Sequence, residues 1–415
     1  VAVLFGLMFL VTEYTRSKQK FLNIYLGLFT VFSLAFLFQA VRLILGNWLP
    51  WPIFDNDAIN LIGKWNDLGV LAGLIVLSSV VILELFPLQE ARAMKNFIWG
   101  VLGTAILTMI LVNFSLLWIV LAVILVFIYT YNISFLSRQA GEGGKKIMKI
   151  SLVVFLISLA FIIFGQPISY DAQGQTHEGY LAVPIRKLAE KLRISYLEVR
   201  PSVMGTYSLT QDNLKLSPIF GSGPNTFSSV WLKNKPAGVN ESQFWNIEPA
   251  FGVGFVPSFF VTTGLMGGLA LILFVLLLVY LGVKALISSQ TDSLEKSFLM
   301  LSFVGLVYVW TLLILYVPET SILAVAFVIT GLFIARLVDL GEIKTTEIVL
   351  VANPKTKFVS SLLGAVIGIV LVVLIGTWLA TTGALLAFQH ASNDLQVTGN
   401  TDQAEKYINM AIRLN

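Results

Sequence analysis

Long apolar runs dominate this sequence and decide what it can fold into. They lie at about 21–46, 66–86, 97–112, 116–136, 150–165, 265–288, 297–316, 321–338 and 358–388, with a shorter one at 1–12. A helix that crosses a bilayer needs roughly 20 mostly apolar residues. Backbone polar groups left bare in lipid are too costly to tolerate, so such runs are helices unless they alternate as barrel strands do. Here the Val, Leu, Ile and Phe blocks are continuous. The expected fold is therefore an all-α polytopic membrane protein with about ten transmembrane helices, the first one truncated. Composition agrees: 57% of residues are hydrophobic and 12% charged, against about a quarter charged in soluble domains. That balance excludes a soluble globular protein, a disordered chain and a nucleic-acid binder.

Residue 1 is a valine inside an apolar run, so residues 1–12 read as the remainder of a span rather than a signal peptide. The chain has no cysteine, which excludes disulfides, thiolate catalysis and thiolate-bound metals. Its two histidines, His177 and His390, are too few and too far apart for a histidine metal site, and no metal or other cofactor is expected.

Short loops that face the cytoplasm are rich in Lys and Arg. The loops at 13–20, 87–96, 137–149, 284–296 and 336–357 hold 15 basic residues, whereas those at 42–65, 113–115 and 317–320 hold Arg42 and Lys64 alone. The first set is thus expected inside. The long loop 166–257 and the tail after 388 are then extracytoplasmic, as for a multi-pass protein of the cytoplasmic membrane. Four parts follow: helices over 1–165, the loop 166–257, helices over 258–388, and a tail over 389–415. No ionisable residue falls in the centre of a span. Arg42, Glu84, Lys284 and Arg336 lie near span ends, where long side chains reach the interface. Ion-coupled transporters place such groups at mid-membrane, so the chemistry is expected in the loop.

Loop 166–257 carries eight basic residues, Arg186, Lys187, Lys191, Arg193, Arg200, Lys215, Lys233 and Lys235. A structureless loop of this length is unusual. The pattern Pro184–Val199 predicts an amphipathic helix, with Ile185, Leu188, Leu192 and Val199 on one face. Pro201 disfavours helix at Arg200 and predicts a bend there. The helix either anchors the loop to anionic headgroups or joins Arg200 in binding a lipid-linked diphosphate, whose oxygens match a guanidinium fork. Next comes Ser217-Pro218-Ile219-Phe220-Gly221-Ser222-Gly223-Pro224-Asn225-Thr226-Phe227. A Gly-x-Gly outside the membrane is no nucleotide site. It reads either as a tight turn offering backbone N–H groups to an anion or as a purely structural turn.

Arg200-Pro201-Ser202, then residues 217–227, then Thr262-Thr263-Gly264-Leu265-Met266-Gly267-Gly268 opening a long apolar span, form an order that resembles the bacterial O-antigen ligase and O-antigen polymerase superfamily. The resemblance covers the loop, the following span and the multi-span layout. It implies a GT-C-like glycosyltransferase that works without metal or nucleotide sugar. Such enzymes pass a glycan from an undecaprenyl-diphosphate-linked donor to a lipid or glycan acceptor outside the cytoplasmic membrane, in cell-surface polysaccharide biogenesis. Arg200 matches the family arginine that holds the donor diphosphate. Arg193, Lys215, Gly221, Gly223, Asn225 and Asn246 are the further candidate substrate contacts. Members commonly carry a His-Asn pair about eleven residues before the Gly-x-x-Gly element; here Val253 and Gly254 stand there. Glu248, Glu241 or a folded-back His177 are the substitute bases to consider. The departure equally fits an inactive relative acting as a membrane scaffold. A transporter or flippase is the third reading.

The tail segment 399–415 resembles the second helix of a tetratricopeptide repeat, with Asn400 as a cap and Ala404 and Ala411 seven apart. A single half-repeat cannot bury its own face, so a longer repeat region that binds a protein partner is expected to follow.

Overall fold

A computed structural model describes residues 2–45, 60–87, 91–136, 148–167, 169–170, 176–192, 194, 199–242, 244–288, 293–344, 354–395 and 401–414. They divide into two compact units, one over 1–44 and 60–343 and the other over 45–59 and 344–415.

The first unit is a helical bundle. Its helices are α1 (Ala2–Tyr14), α2 (Lys18–Leu45), α3 (Trp65–Leu85), α4 (Arg92–Val112), α5 (Ser115–Tyr131), which runs into a π-helical turn at Asn132–Leu136, and α6 (Lys149–Phe164). A two-residue antiparallel pairing follows, Ser169 opposite His177 and Tyr170 opposite Thr176. Short helices α7 (Ala182–Lys191), α8 (Val203–Leu216), α9 (Phe227–Asn234) and α10 (Ala237–Asn240) lead to α11 (Phe255–Ile287), α12 (Ser293–Leu315) and α13 (Thr320–Asp339). Among the described residues seven helices, α2 to α5 and α11 to α13, are long and apolar enough to cross a membrane. The expected spans at 1–12, 150–165 and 358–388 fall on helices whose described apolar runs are shorter, Val3–Tyr14, Lys149–Phe164 and Ser360–Val370. The chain is a polytopic, all-helical membrane protein at this coarser level.

Helix α3 is the axis of the bundle, with 19 of its 21 residues buried. Small residues let its neighbours approach. A side chain at Gly73 would collide with the Tyr308 ring of α12, whose hydroxyl donates to the Val70 carbonyl at 2.9 Å. Similar side-chain-to-carbonyl bonds join other helices: Tyr25 Oη to Leu301 O at 3.2 Å, and Thr12 Oγ1 to Gly331 O at 3.1 Å. In lipid, where apolar surface offers little drive for helices to associate, close packing and such bonds hold a bundle together.

Of the four ionisable residues near span ends, Lys284 is exposed and pairs with Glu342 at 2.6 Å, as expected of a side chain at the interface, whereas the other three turn inward. Arg336 is 1% exposed and lies 4.9 Å over the Phe21 ring. It donates to the Thr15 and Arg16 carbonyls and pairs with Asp339 at 2.8 Å, which ties α13 to the α1–α2 turn. Glu84, also buried, accepts from the Ile150 and Ser151 amides at 2.7 and 3.1 Å and caps α6. Arg42 is buried as well. At Arg336 and Glu84 the cause is the same: helix ends present unbonded backbone groups, and a charged side chain within the bundle satisfies them.

In the second unit α14 (Pro354–Asn393) and α15 (Thr401–Leu414) pack as an antiparallel pair, with His390 and Tyr407 stacked at 5.3 Å and Ala404 buried. A small residue at 404 permits this approach. Asn400, the expected cap, lies outside the described residues.

Candidate functional site

The loop segment between α6 and α11 rests on one end of the bundle, formed by the start of α3, the α4–α5 turn, the start of α11 and the end of α12. Helix α7 is shorter than the pattern predicts, Ala182–Lys191 against Pro184–Val199, and its buried face is turned. Ala182 and Ala189 are buried and Ile185 and Leu192 pack on the core, whereas Leu188 is 45% exposed. The two alanines let the helix lie close to α4, and that contact outweighs the larger Leu188 in choosing the face. Arg186 is bound to Glu178 at 2.9 Å and to Glu190 at 2.7 Å. The Glu178 carboxylate first, then Glu190, lifts its guanidinium further above the ordinary arginine range. Arg186 therefore stays cationic, with carboxylates already around it. Lys215 likewise pairs with Asp212 at 2.9 Å. Arg193 lies outside the described residues.

The Arg-Pro-Ser element is a helix start. Ser202 is extended and its hydroxyl accepts from the Gly205 amide at 3.0 Å, capping α8. Pro201 sets the entry, and Arg200 stands just before it, outside any helix as the proline predicts. Its Nη1 donates to the Val253 carbonyl at 3.3 Å, and its guanidinium lies 4.9 Å over the Tyr316 ring. Tyr316 is fully buried, and its hydroxyl donates to Asp67 Oδ1 at 3.2 Å. Asp67 also accepts from the Lys64 amide at 2.9 Å and the Glu319 amide at 3.2 Å. Arg200 further lines an open cleft, with Ser202 and Gly205 on the α8 side and Trp231, Val239 and Phe244 from the following segment. The lining is mainly apolar and aromatic, and Arg200 is its charged residue.

Val253 and Gly254 are packed as backbone. The Val253 amide donates to Thr206 Oγ1 at 2.9 Å while its carbonyl holds Arg200. A side chain at Gly254 would overlap the Ile314 carbonyl, and one at Gly252 would lie 2.6 Å from Thr206 Oγ1. The segment that stands eleven residues before Gly264 is thus beside Arg200, but it brings no proton acceptor of its own.

The two glycine-containing motifs meet. Helix α11 is broken at Gly264, which has φ 64° and ψ −162°, a conformation open essentially to glycine alone. The break frees the amides of Leu265 and Met266 and the carbonyls of Val261 and Thr262. The 217–223 turn pairs with all four. Leu265 N donates to Pro218 O at 2.9 Å and Met266 N to Ile219 O at 3.1 Å. Ser222 N donates to Val261 O at 3.0 Å and Gly223 N to Thr262 O at 2.9 Å. Asn213 of α8 adds a bond to Val261 O at 2.7 Å. Gly221, with φ 67°, is needed because a side chain there would lie 2.5 Å from the Gly264 amide. The structural reading of Gly221 and Gly223 is therefore the one observed, since the Gly221, Ser222 and Gly223 amides all bond within the protein rather than facing an anion. Asn225 holds a left-handed turn, φ 60°, and is exposed.

Of the remaining candidates, Glu241, Asn246 and Glu248 are exposed. They are next in sequence to residues that line the cleft, Ser242, Ile247 and Pro249, and do not line it themselves. Lys215 is at the far end of α8, about 18 Å from its start at 1.5 Å per residue. The side chain of His177 lies outside the described residues. Among the described residues no three His, Asp or Glu side chains converge as metal ligands would. Asp67 and Tyr316 do not follow from sequence as site residues. Each sits at the end of an apolar run, and their meeting with Arg200 depends on packing; the local signal is a carboxylate in the first turn of a span.

No protein-family model matches the chain, and neither a curated protein nor a solved structure does.

Proposed function

We propose that this protein transfers a glycan from an undecaprenyl-diphosphate-linked donor to a lipid or glycan hydroxyl, in the manner of the O-antigen ligases and polymerases its motifs resemble. One observation carries the reading: Arg200, just before the start of α8 and held by Val253 O and the Tyr316 ring, lines an apolar cleft at one end of a membrane bundle. A lipid diphosphate needs a guanidinium beside apolar surface. In the reaction the acceptor oxygen attacks the anomeric carbon and the lipid diphosphate leaves. A cation at the leaving group stabilises its growing charge. The start of α8, the positive end of a helix dipole, acts in the same sense. Glu248 and Glu241 are the candidate proton acceptors. The excess of basic residues in the loops at the other end supports an extracytoplasmic position for the cleft. The reading includes ten spans, a GT-C-like fold and a tetratricopeptide-like tail that binds a protein partner.

A second reading, a scaffold that binds the glycan lipid without turning it over, is favoured by the backbone packing at Val253 and Gly254, where the family's His-Asn pair would stand. Incubating the reconstituted protein with a lipid-diphosphate oligosaccharide and a panel of acceptors separates the two. Transfer that falls with Arg200→Ala supports the enzyme, binding without transfer supports the scaffold, and transfer unchanged by Arg200→Ala refutes the role of Arg200.

A further inference from the structure

We infer that Tyr316 and Asp67 are positioning residues for Arg200, an inference that rests on Arg200 being the diphosphate contact. Tyr316 is held through both its backbone and its hydroxyl. Its carbonyl accepts from Phe255 N at 3.1 Å and its hydroxyl donates to Asp67. Asp67 is itself fully buried and held by the amides of Lys64 and Glu319. The carboxylate thus joins the start of α3, the α12–α13 connection and the end of α12 into one support. The ring presents a fixed face 4.9 Å below the guanidinium, and Val253 O fixes an in-plane N–H. A face contact and an edge contact together set the plane of the Arg200 fork, which bidentate recognition of phosphate requires.

The chemistry of the pair fits this task better than simple packing. A buried carboxylate at a span end is costly unless paired, and an apolar contact would join the helices without that cost. A phenol donating to a carboxylate has a more electron-rich ring, which strengthens the attraction for a cation above its face. Capping of α3 accounts for the carboxylate; the phenol that joins it to the stacked guanidinium is what capping does not require.

The test uses the full chain in nanodiscs and undecaprenyl diphosphate as the probe. Arg200→Ala is expected to weaken binding at least about tenfold. Tyr316→Leu, which removes the ring face, is expected to weaken it about 5- to 10-fold, and Tyr316→Phe, which keeps the ring but frees it from Asp67, about 2- to 3-fold. The double variant Arg200→Ala/Tyr316→Leu should bind no more weakly than Arg200→Ala alone, because Tyr316 acts through Arg200. Wild-type affinity in both Tyr316 variants, or losses that multiply in the double variant, would overturn the inference. Should Tyr316→Leu fail to fold, the cycle with Tyr316→Phe makes the same decision. Equal binding by wild type and Arg200→Ala would instead overturn the diphosphate reading itself.

Discussion

Gly264→Ala should be among the most damaging single-methyl substitutions in the bundle. The residue has φ 64° and ψ −162°, and forcing a side chain into that region costs of order 1–3 kcal/mol. The new methyl would also lie 2.5 Å from the Gly221 amide and closer still to the Ile219 carbonyl. These are backbone atoms, so relief requires the 217–223 turn to move away. Moving it stretches the bonds from Leu265 and Met266, now 2.9 and 3.1 Å, each with a net value of about 1 kcal/mol. The sum is about 3–5 kcal/mol, which at roughly 2 °C per kcal/mol for a large domain lowers Tm by about 6–10 °C. Thermal unfolding of the detergent-solubilised protein measures it, with Gly103→Ala of α4 as the control. Nothing lies within 4 Å of a methyl at Gly103, and alanine there should be neutral or slightly stabilising. A Gly264→Ala protein with the Tm of Gly103→Ala would refute the reasoning. It would mean that the turn and the broken helix do not hold one another.

Three further outcomes follow from the packing. Arg336→Met keeps bulk but leaves the Thr15 and Arg16 carbonyls and Asp339 without their cation; a loss of about 3–5 kcal/mol is expected from the same thermal measurement. Glu84→Gln removes the charge that caps α6, at a cost of about 1–2 kcal/mol, and amide exchange at Ile150 and Ser151 should quicken. Gly254→Ala drives a methyl into the Ile314 carbonyl and displaces the strand that holds Arg200. Binding of undecaprenyl diphosphate should fall with it, whereas unchanged binding would separate this strand from the site.

The apolar runs announce the helices because lipid leaves the backbone no other partner, and the predicted edge at 265 falls one residue after Gly264, which breaks α11. Pro201 announces that Arg200 stays out of a helix because its restriction is local. What the sequence leaves unread depends on distance. The four bonds that join 218–223 to 261–266 connect residues some forty apart, and no local pattern encodes them. Helices α8 and α9 carry mixed polar faces without a clear period. In α7 the large Leu188 draws attention to a face that two alanines, through closer approach, take over. Asp67 and Tyr316 become meaningful only when α3 and α12 are side by side.

The bonding between the glycine turn and the broken helix makes two separated stretches of sequence a single mutational unit. Neither can drift alone, since a residue larger than glycine at 221 or 264 collides with backbone from the other stretch. Homologous exchange of the loop would thus succeed only if residues 217–223 and 258–266 travelled together. The same bonding limits how the loop can open. The 217–223 turn moves only as far as α11 does, so the start of α11 and the turn behave as one body.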